Sequence, residues 1–386
     1  MTLPNLPQGS YLVVWRVISR EDAHAVGGAF SFGVSIPPDT AAAAEANVRA
    51  RVEPDFTTHL IRYLGLLAQA VMVGAVIFRW LVWGPARAGT DAELSGVWIE
   101  QRRYFTLLAD ILRAALIIGV LGALYLQAQL VGAPFWGLFP TRWGVIWLAR
   151  AAAAFLAAGW MESLLLDDRS RRIWLGLSLG AILLLTTAFT SHGFGPPNGS
   201  SARPGLAAPL ASAVHLLATS AWVGGLVTLT LTLLTLRALD ASARGPLAAE
   251  VVGRFSGVAA SVGLIVVSGL TLSRVEVRSW AGLLLTDYGR TLMVKLVVVS
   301  VAFGLGVYNS FGARRGPDWG SVGVEAALTL GAIFAAAVLT NLPPPTAAAN
   351  SADRVLERSG QAAGMNVLGQ VRPARVGPNA FEIASL

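Results

Sequence analysis

The chain contains four histidines, five methionines and no cysteine. A metal ion held here must therefore use imidazole, thioether, carboxylate or backbone donors, and disulfides, thiolate sites and cysteine nucleophiles are excluded. Two of the histidines bracket one polar loop. In the stretch 189–226, FTSHGFGPPNGSSARPGLAAPLASAVHLLATSAWVGGL, His192 stands where one hydrophobic run ends and His215 just inside the start of the next. Pro196, Pro197, Gly199 and Pro204 forbid helix between the runs, so both histidines are expected on the same side of a membrane. His215 and Trp222 are two helical turns apart and share a face, on which Ala218 and Gly225 leave room for a close neighbour. An imidazole in or near hydrocarbon needs a partner, as a metal ligand, a proton relay or a hydrogen-bonded structural group. His59, in the phrase DFTTHLIRYLG, opens the first hydrophobic run at a similar depth. Together these residues offer two or three imidazoles, a donor set suited to a borderline transition-metal ion; the alternative for His59 is an interfacial histidine bonded to headgroups.

What must position them is a membrane bundle. Of 386 residues, 54% are hydrophobic and only 13% charged, about half the charged share of an ordinary soluble domain. Mean hydropathy is +0.61. Eight candidate spans follow, at about Thr58–Val82, Tyr104–Leu130, Trp143–Leu165, Ile173–Thr190, Leu206–Leu236, Phe255–Ser273, Arg290–Phe311 and Ser321–Asn341, each near the length a bilayer requires. The predicted fold class is an all-α polytopic membrane protein, a bundle of about eight transmembrane helices with an extracytoplasmic β-hairpin at its N-terminal end.

The basic residues, 29 Lys and Arg against 22 Asp and Glu, are scattered over loops, which argues against nucleic acid and for a topology signal. Loops carrying Arg102, Arg103, Arg171, Arg172, Arg314 and Arg315 are expected inside, which leaves both termini outside. All four histidines then fall on or near the extracytoplasmic side. Lys295, costly within a span, calls for a counter-charge such as Asp287 or Glu276. Glu325 and Asn309 have similar depth and are expected to hydrogen-bond across helices; Asp110 and Arg113 should pair along one helix. Glu162 has no obvious mate. Trp80, Trp83, Trp136, Trp143, Trp147, Trp174 and Trp280 are assigned to the interface, and the spacings Gly176-x-x-x-Gly180 and Gly253-x-x-x-Gly257 to close helix contacts.

Residues 1–36 are not membrane-like. Tyr11–Ile18 is rich in β-branched and aromatic residues, Phe30, Phe32 and Val34 alternate, and Gly27 and Gly28 are expected in the connection of a β-hairpin. The phrase LPQGSYLVVWRVISREDAHAVGGAFSFGV resembles the closing strands of the CopC family of periplasmic copper-binding β-sandwiches. Asp22 and His24 fall on that family's Asp-x-His turn, and the resemblance implies them as copper ligands. Residues 37–55 read as a linker, 56–345 as the helix bundle, and 346–386 as an extracytoplasmic tail whose Arg-Val-Gly-Pro-Asn-x-Phe phrase looks like the first strand of a second β-domain. Both ends read as truncated.

Across 56–345 the chain resembles the CopD copper-resistance membrane family. The resemblance is carried by Thr190-Ser191-His192, His215 with Trp222-x-Gly224-Gly225, Arg254-Phe255-Ser256, Tyr288-Gly289-Arg290 with Lys295, and Asn309, Glu325 and Leu339-Thr340 in order. It implies copper passage across, or handling at, the bacterial cytoplasmic membrane, with an extracytoplasmic copper-binding domain as partner. The metal ligands expected are His192, His215 and His59, with Asp22 and His24 on the β-segment. The reading is of an ion transporter, not an enzyme, and without a P-loop or a DKTG phosphorylation sequence ATP drive is not expected. Two other readings use the same residues: a b-type cytochrome with these histidines as axial haem ligands, and a structural or sensor bundle without metal.

Overall fold

Apolar runs of twenty or more residues have one stable form in hydrocarbon, the helix, because it satisfies every backbone polar group internally. The computed structural model of the chain bears this out. It describes residues 6–18, 25–39, 42, 55–90, 94–132, 134–167, 169–190, 206–259, 261–277, 279–312, 319–342, 345, 356–362, 365–372 and 380–385. Strands β1 (Gly9–Ile18) and β2 (Ala25–Val34) form an antiparallel hairpin. The helices are α1 (Phe56–Phe78), α2 (Ser95–Val131), α3 (Arg142–Leu166), α4 (Ser170–Phe189) and α5 (Ala207–Thr219, continuing from Gly225). They are followed by α6 (Ala241–Ala259), α7 (Val262–Glu276), the short α8 (Trp280–Leu285), α9 (Asp287–Gly312) and α10 (Trp319–Leu339). Three C-terminal strands, β3 (Leu356–Ala362), β4 (Met365–Arg372) and β5 (Ala380–Ser385), pair antiparallel in that order. Among the described residues eight helices are long and apolar enough to cross a membrane, with α6 and α7 counted as one. Outward-facing positions such as Ile99, Leu107, Val267, Leu296 and Val297 are exposed and apolar, as a lipid-facing surface requires.

Helix α1 is the axis of the bundle. Ala68, Met72 and Ala75 are wholly buried, and glycines set how closely its neighbours approach. A Cβ on Gly74 would lie 2.2 Å from the Ser220 carbonyl oxygen, and one on Gly224 2.2 Å from that of Ala70. The α1–α5 crossing is therefore backbone against backbone, and no side chain fits there. It coincides with a π-helical turn, Ser220–Gly224, in the middle of the α5 path. Gly119 of α2 meets Gly65 of α1 in the same way, and Gly176 and Gly180 of α4 receive Val76 and Val73. The other expected glycine pair behaves differently: a Cβ on Gly253 or Gly257 would meet nothing within 4 Å, so they lie on an open face.

Asp55 caps α1 by accepting from the Thr58 amide at 2.8 Å and from its hydroxyl at 2.8 Å. These two bonds, the amide first, hold its carboxyl below the ordinary carboxylate range. At the other end the helical path runs on from Phe78 through a π turn, Arg79–Trp83, to Ala88. Trp83 is consequently not at an interface but 1% exposed. Trp147 is also buried, its indole N–H donating to the Val120 carbonyl at 3.0 Å. Trp80, Trp136, Trp174 and Trp280 are exposed, as interface residues should be. Gly27 and Gly28 lie within β2, opposite Arg16 and Trp15, instead of in the connection.

Candidate metal centre

His215 lies half-buried on α5 and faces α7. Its Nδ1 is 3.2 Å from the Ile265 carbonyl and 3.1 Å from the Ser268 hydroxyl, and its Cε1 lies close to Gly269, where there is no side chain to displace it. The tautomer follows from the acceptors. Ile265 oxygen can only accept, and Ser268 uses its own proton on the Leu264 carbonyl, so it too accepts from the ring. Nδ1 therefore carries the proton and Nε2 keeps its lone pair. A metal-binding imidazole is oriented in this way, with one nitrogen held by an acceptor and the other presented to the ion.

His59 is arranged in the opposite sense. Asn341, just beyond α10, donates through Nδ2 to the Ala337 carbonyl at 3.1 Å and lies 2.8 Å from His59 Nδ1. Because Ala337 oxygen accepts, the Asn341 amide must point its nitrogen there, and His59 Nδ1 accepts the second proton. Its lone pair is thus taken and Nε2 carries the proton. Arg62 of the next turn reaches the Thr340 carbonyl at 3.4 Å, so this corner clamps the start of α1 to the end of α10.

The relative depth of the groups comes from two contacts. Gly74 lies against Ser220 and Gly224, and Thr187 of α4 donates to Gln69 of α1 at 3.1 Å. Counting a rise of ~1.5 Å per residue from these contacts puts Thr190, the residue after α4, about level with His215, and His59 about 9 Å nearer the bundle end. His192 follows Thr190 by two positions and lies outside the described residues, as do Asp22 and His24. Residues 19–24, which hold the latter two, connect the paired ends of β1 and β2. No group of three or more His, Asp or Glu side chains able to hold a metal occurs among the described residues.

Around His215 the polar groups of the C-terminal helices form a track. Lys295 of α9 lies within Coulombic reach of both His215 and Glu276 of α7, and the Tyr288 hydroxyl donates to the Glu276 carboxylate. Of the two counter-charges proposed for Lys295, Glu276 is the nearer in effect, since Asp287 pairs with Arg290 at 3.8 Å. Two turns below His215 on α5, Trp222 is buried, and its indole reaches the Glu325 carboxylate of α10. Asn309 of α9 donates to that carboxylate at 2.8 Å. Asp110 and Arg113 pair along α2 at 2.5 Å, and Glu162 has a mate that its own span did not reveal, the Thr106 hydroxyl of α2 at 3.3 Å. Ser268 was also hidden in the sequence; a neutral hydroxyl in VVSGLTLS gives little signal beyond being the polar residue facing the His215 helix.

Two family models match the chain. The one described as copper resistance protein D covers residues 249–340, and the CopC domain covers residues 1–35. The first takes in α7, α9 and α10, with Ser268, Lys295, Asn309 and Glu325. The chain is also similar to a protein described as "Copper transport protein CutJ" from Bacillus subtilis (strain 168), with 28% identity over 400 residues, 98% of this chain and 69% of that protein. No solved structure matches it. A CopC segment and a CopD segment thus lie in one polypeptide, a multi-pass membrane protein whose described residues include eight helices long and apolar enough to cross a membrane, and this organisation is consistent with a CopC–CopD fusion.

Proposed function

We propose that this protein carries copper across, or handles it at, the bacterial cytoplasmic membrane, and that it takes the ion at an imidazole site on the extracytoplasmic side. The observation that carries the reading is the orientation of His215: Nδ1 is held by Ile265 and Ser268, and Nε2 is left with its lone pair. His192 is the second ligand. It stands two residues beyond a position level with His215, and two imidazoles suit copper in either oxidation state. His59 ligates only if it releases Asn341. Asp22 and His24 belong to the CopC segment, where they bind copper before it reaches the bundle. The side assigned to this end follows from the arginine-rich loops at the opposite end.

Chemically, the arrangement binds and orients an ion. A neutral imidazole with its far nitrogen fixed is a stronger and more directional donor than a free one, and the nearby ammonium of Lys295 limits how tightly a cation is retained. Release matters as much as capture for a carrier. The test is copper analysis of detergent-purified protein beside the variants His192→Ala, His215→Ala and the double replacement. The expected result is stoichiometric copper in the wild type and its loss from the double variant while the fold is retained. Unchanged copper in a folded double variant overturns the site, and a Soret band in the purified protein favours haem instead.

A further inference from the structure

A second polar site lies in the other half of the same helices and is not accounted for by metal binding at His215. Glu325 is 3% exposed. It lines a cavity of about 20 Å³ together with Leu226, Phe255, Ser256, Asn309 and Ser310, room for about one water molecule. The Ser256 and Ser310 hydroxyls lie 3.0 Å apart across it. Asn309 spends Nδ2 on Glu325, and its Oδ1, buried, has no hydrogen-bond partner among the described residues. The closeness is built in: a Cβ on Gly306 would lie 2.8 Å from Glu325 Oε1.

No cation among the described residues faces this carboxyl. The cavity beside it is lined on α5 by Leu226 and Leu229, on α6 by Val252, Phe255 and Ser256, and on α9 by Gly306, Asn309 and Ser310, and the Trp222 indole reaches the carboxylate itself. The nearest charges on α6, Glu250 and Arg254, pair with each other at 2.6 Å and are half exposed. Lys295 and Glu276 stand in the opposite half of the bundle, and Arg314 and Arg315 lie outside the described residues. Asn309 and Trp222 donate to it and favour the charged form, but with no cation opposite a carboxylate in such a place is costly unless it takes up a proton. The few polar side chains of this mostly apolar lining, Ser256, Ser310, Asn309 and Glu325, offer oxygen and no imidazole or thioether, which suits a hard ion far better than a cuprous one.

We propose that Glu325 is a proton-binding site, held by Asn309 and Trp222, whose proton is exchanged with the aqueous phase as copper moves through the protein. The carboxyl gains or loses one proton, the cavity holds the water that relays it, and no other bond changes. The inference rests on the reading of the protein as a copper carrier. Trp222 and His215 stand seven residues apart on the same helical path, so a shift of α5 on binding copper alters the contact with Glu325.

Infrared spectroscopy of the full chain in lipid tests the first half without any copper. At neutral pH it should contain a protonated-carboxyl band that is absent in Glu325→Gln and displaced in Asn309→Leu. If Glu325→Gln does not accumulate, the displacement in Asn309→Leu carries the test alone. A spectrum unchanged by these replacements means that Glu325 is ionised and overturns the site. In proteoliposomes an imposed pH gradient should change copper flux severalfold in the wild type and not in Glu325→Gln, which still binds copper at His215. Equal gradient dependence in both, or dependence on a sodium gradient instead, overturns the coupling. Loss of copper binding in the wild type would overturn the carrier reading and leave the carboxyl band as a separate result.

Discussion

His215 Nδ1 lies 3.1 Å from the Ser268 hydroxyl of the neighbouring helix, and that hydroxyl has already given its proton to the Leu264 carbonyl. This serine and the Ile265 carbonyl together fix which nitrogen of the histidine is free. Outer partners of this kind typically contribute about 10- to 100-fold to metal affinity. Because Ile265 keeps a second hold on Nδ1, Ser268→Ala is expected at the lower end, roughly tenfold weaker copper binding with normal folding. A competition titration against a copper chelator measures it; unchanged affinity would mean that the ring needs no such support.

The His59–Asn341 pair is expected to act on stability and not on copper. Replacing Asn341 by Ala removes one side-chain bond between the two chain ends of the bundle, a loss of about 0.5–1.5 kcal/mol. The unfolding midpoint in detergent should fall slightly in Asn341→Ala and His59→Ala, with copper stoichiometry intact. Copper lost from His59→Ala would return this residue to the ligand set.

Arg79 is buried at 2% exposure, and its guanidinium donates to the carbonyls of Leu165 and Leu166, the latter at 2.9 Å, at the end of α3. These carbonyls have no partner within their own helix. Arg79→Ala is expected to cost ~1.5–3 kcal/mol per charged hydrogen bond lost, and Arg79→Lys to recover only part, since an ammonium lacks the forked geometry. Thermal unfolding of the three proteins in one detergent tests the order.

The glycine contacts separate two classes of position. A side chain on Gly74 or Gly224 meets backbone, which cannot swing aside, so Gly74→Val and Gly224→Val should abolish folded protein. Gly253→Ala and Gly257→Ala meet nothing and should accumulate normally. Size-exclusion profiles of all four would contradict the packing if the two pairs behaved alike.

The contrast between those pairs also shows what a membrane sequence conceals. Spans are legible because hydrocarbon demands some twenty apolar residues, and all eight expected spans are found as helices. Their rotation is much less legible, since lipid and protein core are both apolar and leave no stripe to read. Gly176-x-x-x-Gly180 and Gly253-x-x-x-Gly257 look the same in sequence, yet only the first faces a neighbour. Trp83 differs from the sequence expectation for a related reason: hydropathy ends the first span at Val82, whereas the helical path continues to Ala88 and buries the ring. Polar residues fared better where two of them needed each other, as Asn309 and Glu325 do. The hold on His215 came from Ser268 and a main-chain carbonyl, and neither announces itself.

Copper loading should bring the ion onto the free nitrogen of His215. X-ray absorption at the copper edge of the loaded protein, beside His215→Ala and Ser268→Ala, examines that contact directly. Imidazole scattering in the wild type, diminished in His215→Ala and preserved with weaker loading in Ser268→Ala, is the predicted result; identical copper spectra in the wild type and His215→Ala would contradict it.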